Sequence, residues 1–136
     1  MLDTNVLVAA LHSRRGASFR LLVRVGTGAF EIAVSVPLIL EYEDVLTRDL
    51  SEIGLTSEDV SAVIDYMCSV AIRQEIFFLW RPVLRDPGDD LVLEIAVAAN
   101  CGAIITHNIR DFDRARQFGI RVLSPGAFLN ELEGAK

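Results

Sequence analysis

Lysine is almost missing from this chain of 136 residues: Lys136 is the only one, and the other basic residues are all arginine. That removes the partner which aspartate-based phosphoryl-transfer sites need, while arginine suits bidentate contact with phosphate. Cysteine is scarce too. Cys68 and Cys101 stand in apolar surroundings without a CxxC spacing, which excludes a disulfide framework and leaves two reduced, packed thiols as the expectation. Half of the residues are apolar, yet no run approaches the roughly twenty that a membrane span needs; the most apolar stretch, Val92 to Ala99, is interrupted by Glu94. A basic leader with an apolar core and a small-residue cleavage site is also absent, so no signal peptide or membrane association is read and a cytoplasmic protein is expected. Positive charge is in deficit, with a formal net charge of −6. That opposes broad electrostatic adhesion to nucleic acid, unless bound metal neutralises several of the carboxylates. Repeats, low-complexity tracts and linkers are absent, and residues 1–136 read as one domain.

Short β-like segments alternate with helix-like ones. Strands are expected at Met1–Leu2, Glu31–Val34, Glu75–Leu79, Ala103–Thr106 and Arg121–Leu123. Helices are expected at Asn5–His12, Ala17–Gly26, Val36–Leu50, Ser57–Arg73, Asp90–Cys101, Ile109–Phe118 and Pro125–Leu132. Ser57 reads as an N-cap ahead of Glu58 and Asp59, Gly102 as a C-cap glycine, and Ser124-Pro125 as a cap followed by a first-turn proline. The alternation indicates an α/β domain with a parallel sheet, in which active groups collect beyond the carboxyl ends of the strands.

Acidic and amide residues do stand at such junctions. Asp3 opens Asp3-Thr4-Asn5-Val6, where an N-cap role would explain it alone. In the helix from Val36, the apolar stripe is Leu38, Ile39, Tyr42, Val45 and Leu46. At about 100° per residue, Glu41 and Glu43 flank that stripe equally and both stay open; Asp44 falls on the solvated face. Asp86-Pro87-Gly88 has turn chemistry, and Asp89 or Asp90 then starts a buried helix. One acid suffices for a cap, so the other is left to point into a site. Thr106-His107-Asn108 ends a buried strand with a hydroxyl and a neutral oxygen; His107, a loop histidine without a visible partner, reads as unspecialised. Asp111 and Asp113 read as the exposed face of the next helix. Carboxylates gathered in this way repel unless a cation lies between them. A divalent metal is the economical one, and it points to phosphate chemistry.

In their order and spacing, Asp3-Thr4-Asn5-Val6-Leu7, the run Ser35 to Leu46, Asp86 to Asp90, and Ala103 to Asn108 followed by Arg110-Asp111-Phe112 resemble the PIN domain family over essentially the whole chain. The resemblance implies a three-layer α/β/α domain with a mostly parallel central sheet of about five strands. It also implies a Mg²⁺- or Mn²⁺-dependent ribonuclease, most often the toxin of a toxin–antitoxin pair, hence an antitoxin partner and a homodimer. The family's helical glutamate stands five positions before the leucine matched by Leu46, which selects Glu41. Its central aspartate stands sixteen positions before the threonine matched by Thr106, which selects Asp90, with Asp89 and Asp86 next in line. Two departures stand out. Asn108 replaces the aspartate of Thr-x-Asp, which should weaken one metal position more than the primary one; Asp111 is a secondary candidate to compensate, at a different spacing. Only Met1 and Leu2 precede Asp3, too few for a strand of usual length, so an apolar run upstream of Met1 is expected.

The implied chemistry is hydrolysis of an RNA phosphodiester by metal-activated water, with Asp3, Asp90 and Glu41 as ligands and Asn108 completing or orienting the set. Asn5 and Thr106 would hold the ligands by hydrogen bonds, and Arg14 and Arg15 would grip the RNA backbone. Two rivals remain. A PIN-like RNA- or protein-binding module with a decayed site is favoured by Asn108 and opposed by Asp3, Glu41 and Asp90. A phosphoryl-transfer α/β domain with Asp3 as nucleophile is opposed by Asn5 and the lack of lysine.

Overall fold

The computed structural model describes residues 1–48, 50, 54–73 and 87–134, and of residues 87–91 and 94 the backbone alone. Along the chain come α1 (Thr4–His12), α2 (Ala17–Leu22), β1 (Ala33–Val34), α3 (Val36–Arg48), α4 (Ser57–Val70), β2 (Ile72–Arg73), α5 (Pro87–Ala98) and β3 (Ala103–Ile105). A 3₁₀ helix (Ile109–Phe118), β4 (Arg121–Leu123) and α6 (Pro125–Gly134) complete it. The expected α/β alternation and parallel pairing are present. A continuous five-stranded sheet is not what the described residues form. They form two parallel pairs, β1 with β2 and β3 with β4, and Leu2 makes an isolated parallel bridge to Ile105. The expected strand Glu75–Leu79 lies outside the described residues.

Several boundaries moved for local reasons. The helix expected from Ser57 to Arg73 ends at Val70, and Ile72–Arg73 turn into a strand beside Ala33 and Val34. Its N-cap is Thr56, not Ser57. Thr56 Oγ1 accepts from the Asp59 N–H at 3.1 Å, and the Asp59 carboxylate accepts from the Thr56 N–H at 3.0 Å. Only the residue three before the acid can exchange bonds reciprocally, so Thr56 wins. Likewise α5 is stopped by Asn100 in the left-handed region (φ 56°) rather than by Gly102, with Cys101 N–H returning to the Ala96 carbonyl. Asparagine tolerates that conformation well enough to end a helix. Ser124 caps α6 as expected, accepting from the Ala127 N–H at 3.1 Å.

The core lies between the strand pairs and the helices. Leu38, Tyr42 and Leu46 follow one another at i, i+4 and i+8 down the buried face of α3, which packs against α1, α4 and α5. Leu93, Ile95, Ile104 and Phe112 are buried in the same core. Cys68 and Cys101 are both free and half-buried against it.

Because the strands are parallel, their two ends differ. At the amino end lies a cavity of about 420 Å³, lined by Met1, Leu2, Phe30, Ile32, Ala103 and Phe128 among others. The Met1 ammonium is buried beside it, donating to the Ala103 carbonyl at 3.2 Å, and burial lowers its pKa. Placing three to five apolar residues ahead of Met1 is expected to carry the strand on beside Ala103 and fill part of this space. The gain should be about 2 kcal/mol, the worth of one buried aliphatic side chain, read as a higher melting temperature; an unchanged melt would show that the cavity is not a strand position. At the carboxyl end stand Asp3 and Thr106, two of the candidate site residues.

Candidate functional site

Asp3 leaves the bridge at Leu2 and caps α1, its Oδ1 accepting from the Thr4 N–H at 2.8 Å. Capping and a site role are therefore not alternatives: one carboxylate oxygen serves the helix. The other, Oδ2, accepts from the Thr106 hydroxyl at 2.7 Å. Asp3 is only 6 % exposed. Burial raises its carboxyl above the usual range, the bonds from Thr106 and Thr4 pull it back, and the charges of Glu41 and Asp111 raise it further.

Thr106 is the hub of this end of the sheet. It is fully buried, and its Oγ1, besides donating to Asp3, accepts from the Asn108 N–H at 3.0 Å and the Asn5 side-chain amide at 3.4 Å. Asn5 also accepts from the His107 N–H at 3.3 Å through its Oδ1. Asn5 and Thr106 thus tie the start of α1 to the end of β3.

On α3 the choice that helical geometry left open is resolved. Glu41 is half-buried and accepts from the Thr4 hydroxyl at 2.8 Å, whereas Glu43 is exposed. Asp44 is paired with Arg48 on the solvated face. Tyr42, the next residue, donates its phenol to the Leu2 carbonyl.

The acidic cluster after residue 85 divides. Asp86 lies outside the described residues. Asp89 and Asp90 fall within the first turn of α5, which starts at Pro87, three residues before the expected Asp90. Since α5 delivers the chain to the amino end of β3, its own first turn belongs at the carboxyl end, the end that holds Asp3. Of the two side chains nothing further is described.

Asn108 is exposed, and its side chain makes no cap bond. The segment that follows is 3₁₀ rather than α-helical, with the Asp111 N–H donating to the Asn108 carbonyl at 3.0 Å. Three residues per turn put positions 108 and 111 on one face. Asp111 is exposed as expected, and its charge is the smallest of those that raise the Asp3 carboxyl. Asp113 keeps the bland reading, paired with Arg116 at 2.7 Å.

Three side chains escaped sequence reasoning. Thr4 looked like part of a cap, Tyr42 like a member of the apolar stripe, and Ser18 like nothing in particular. Ser18 is buried and its hydroxyl lies 2.8 Å from His107 Nε2, so His107 does have a partner, one on α2. Arg14 and Arg15 are both exposed in the turn between α1 and α2.

Among the described residues, no three His, Cys, Asp or Glu side chains form a ready-made metal cage. The donors hydrogen-bonded to Asp3 are neutral, while two further negative charges act on it. A buried, acceptor-only group under like-charge repulsion is a donor set that suits a hard divalent cation with oxygen ligands. The residues fit such an ion.

A family model described as PIN domain matches residues 1–110 of the chain. No curated protein and no solved structure matches it.

Proposed function

Because this chain belongs to the PIN domain family, whose members are generally nucleases, we propose that it hydrolyses RNA phosphodiester bonds with Mg²⁺ or Mn²⁺ as its cofactor. The observation that carries this reading is the buried Asp3 carboxylate, held by neutral donors and repelled by Glu41 and Asp111. Asp3, Glu41 and Asp90 would hold the ion. When bound, the ion supplies an activated water and neutralises charge on the phosphate. Asp3 is oriented by Thr106 and Thr4, Glu41 by Thr4, and the strand-end loop by Asn5. Asp111, on one 3₁₀ face with Asn108, would add a carboxylate in place of the one that Asn108 lacks. Arg14 and Arg15 would meet the phosphates flanking the scissile bond. Incubating labelled single-stranded RNA with the wild type and Mn²⁺ is expected to yield cleavage that EDTA abolishes; binding without cleavage would favour the decayed RNA-binding module instead.

The domain reading extends to residues 1–136. It is supported by β4, which pairs with β3, and by α6, which packs on α2 and puts Leu129 into the core. The sheet reading is a five-stranded order with the Met1–Asp3 segment between β1 and β3. The cavity lined by both Ala33 and Ala103 beside Met1 supports it.

If Asn108 stands at a second metal position, Asn108→Asp should tighten a second Mn²⁺ by roughly tenfold, about 1.4 kcal/mol, and leave the first largely unaffected. Calorimetric titration with unchanged affinity and stoichiometry would place Asn108 away from the metals.

The toxin reading needs partners. Val36 (74 % exposed) and Leu40 (60 %) lie one turn apart on α3, and Tyr66 is half exposed on α4. Apolar side chains so placed suit an interface. We take this helical pair as the surface of a homodimer and of an antitoxin segment. Light scattering at micromolar concentration is expected to return twice the chain mass, and monomer mass alone would count against the dimer.

A further inference from the structure

Tyr42 is 1 % exposed, and a phenylalanine would bury the same ring without a hydroxyl to satisfy. A buried phenol is tolerated only with a hydrogen-bond partner, and this one is specific. Its Oη donates to the Leu2 carbonyl, which belongs to the same peptide unit as the Asp3 N–H. That N–H in turn donates to the Ile105 carbonyl at 2.9 Å. The peptide plane leading into Asp3 is therefore held on both sides, by α3 and by β3. One residue beyond Asp3, the Thr4 hydroxyl donates to Glu41, the residue next to Tyr42. Consecutive side chains of α3 thus bracket Asp3 before and after.

The geometry points to Tyr42 as a positioning residue: its hydroxyl fixes the Leu2–Asp3 peptide so that the Asp3 and Glu41 carboxylates keep one spacing for a shared divalent cation. This rests on the metal reading above. The phenol stays protonated, since burial and the charges of Asp3 and Glu41 keep its pKa well above 10.

Tyr42→Phe removes the bond and keeps the ring. Ile64→Val, a core truncation on α4, serves as a control for general loosening. In metal-free protein, hydrogen exchange at the Asp3 amide should become about tenfold faster in Tyr42→Phe and stay near the wild-type rate in Ile64→Val. Calorimetry should find Mn²⁺ bound roughly tenfold more weakly by Tyr42→Phe, the scale for removing a hydrogen bond behind a ligand, and unchanged in Ile64→Val. Wild-type exchange at Asp3 or wild-type Mn²⁺ affinity in Tyr42→Phe overturns the proposal, as does equal weakening by Ile64→Val. A wild type that binds no Mn²⁺ overturns the metal reading instead. The two failures are told apart because the exchange measurement needs no metal.

Discussion

Asp3→Asn is expected to lower Mn²⁺-dependent RNA cleavage on the order of a thousandfold, about 4 kcal/mol of barrier. The carboxylate is the buried centre of the proposed metal site, and the amide keeps its shape while removing its charge. The same variant should change metal-free stability with a defined sign. Burial raises Asp3 above its ordinary value of 3.8, so between that value and its folded-state value the folded chain keeps a proton that the unfolded chain releases. The stability contributed by Asp3 is then fully present below 3.8 and is lost as pH rises through its higher folded-state value. In EDTA, as pH falls from neutrality toward 3.8, the melting temperature of the wild type should therefore gain relative to that of Asp3→Asn. Saturating Mn²⁺ should reverse the cost in the wild type by binding the native state alone. Wild-type cleavage by Asp3→Asn would remove Asp3 from the chemistry.

Thr106→Val should be the most damaging of the conservative changes. Valine matches threonine in shape, so the core is refilled, but three hydrogen bonds disappear together. Asp3 Oδ2 loses its donor, and the Asn108 N–H and Asn5 amide lose their acceptor. Each polar group left unsatisfied in a buried place costs about 1–3 kcal/mol. Solvent can reach Asn108 and Asn5, so a total of roughly 2–4 kcal/mol is expected, lowering the melting temperature by on the order of 10 °C. Mn²⁺ affinity should fall at least about tenfold, because an unsupported Asp3 no longer holds its orientation. Thr106→Ser, which keeps the hydroxyl, should recover most of the affinity. A valine variant with wild-type affinity would reduce Thr106 to a packing residue.

Much of this architecture is local chemistry, legible without a third dimension. Ser124-Pro125 starts a helix, and the buried residues of α3 recur at helical spacing; the cap of α4 was read one residue late, at Ser57, because the reciprocal Thr56–Asp59 bonds decide it. The alternation of apolar strand-like and helix-like segments established an α/β domain, and with it the rule that side chains such as Asp3 and Thr106 gather beyond the carboxyl ends of strands. Those signals come from a residue and its near neighbours.

What tertiary structure decided was everything requiring a partner distant in the chain. Glu41 and Glu43 are equivalent on an isolated helix. In the fold it is Glu41 that accepts from the Thr4 hydroxyl, 37 positions away, while Glu43 stays exposed. Tyr42 counts as apolar in any periodic pattern, and its polar end acquires meaning from the Leu2 carbonyl, 40 positions away. His107 looked solitary because its partner, Ser18, is 89 positions away. The chain after Asn108 winds as a 3₁₀ helix, a choice of 120° rather than about 100° per residue that composition does not settle. By itself the sequence determined which residue types stand at the strand ends. Packing determined which of their oxygens meet, since hydrogen bonds are short-ranged and only the folded chain brings those atoms within about 3 Å of one another.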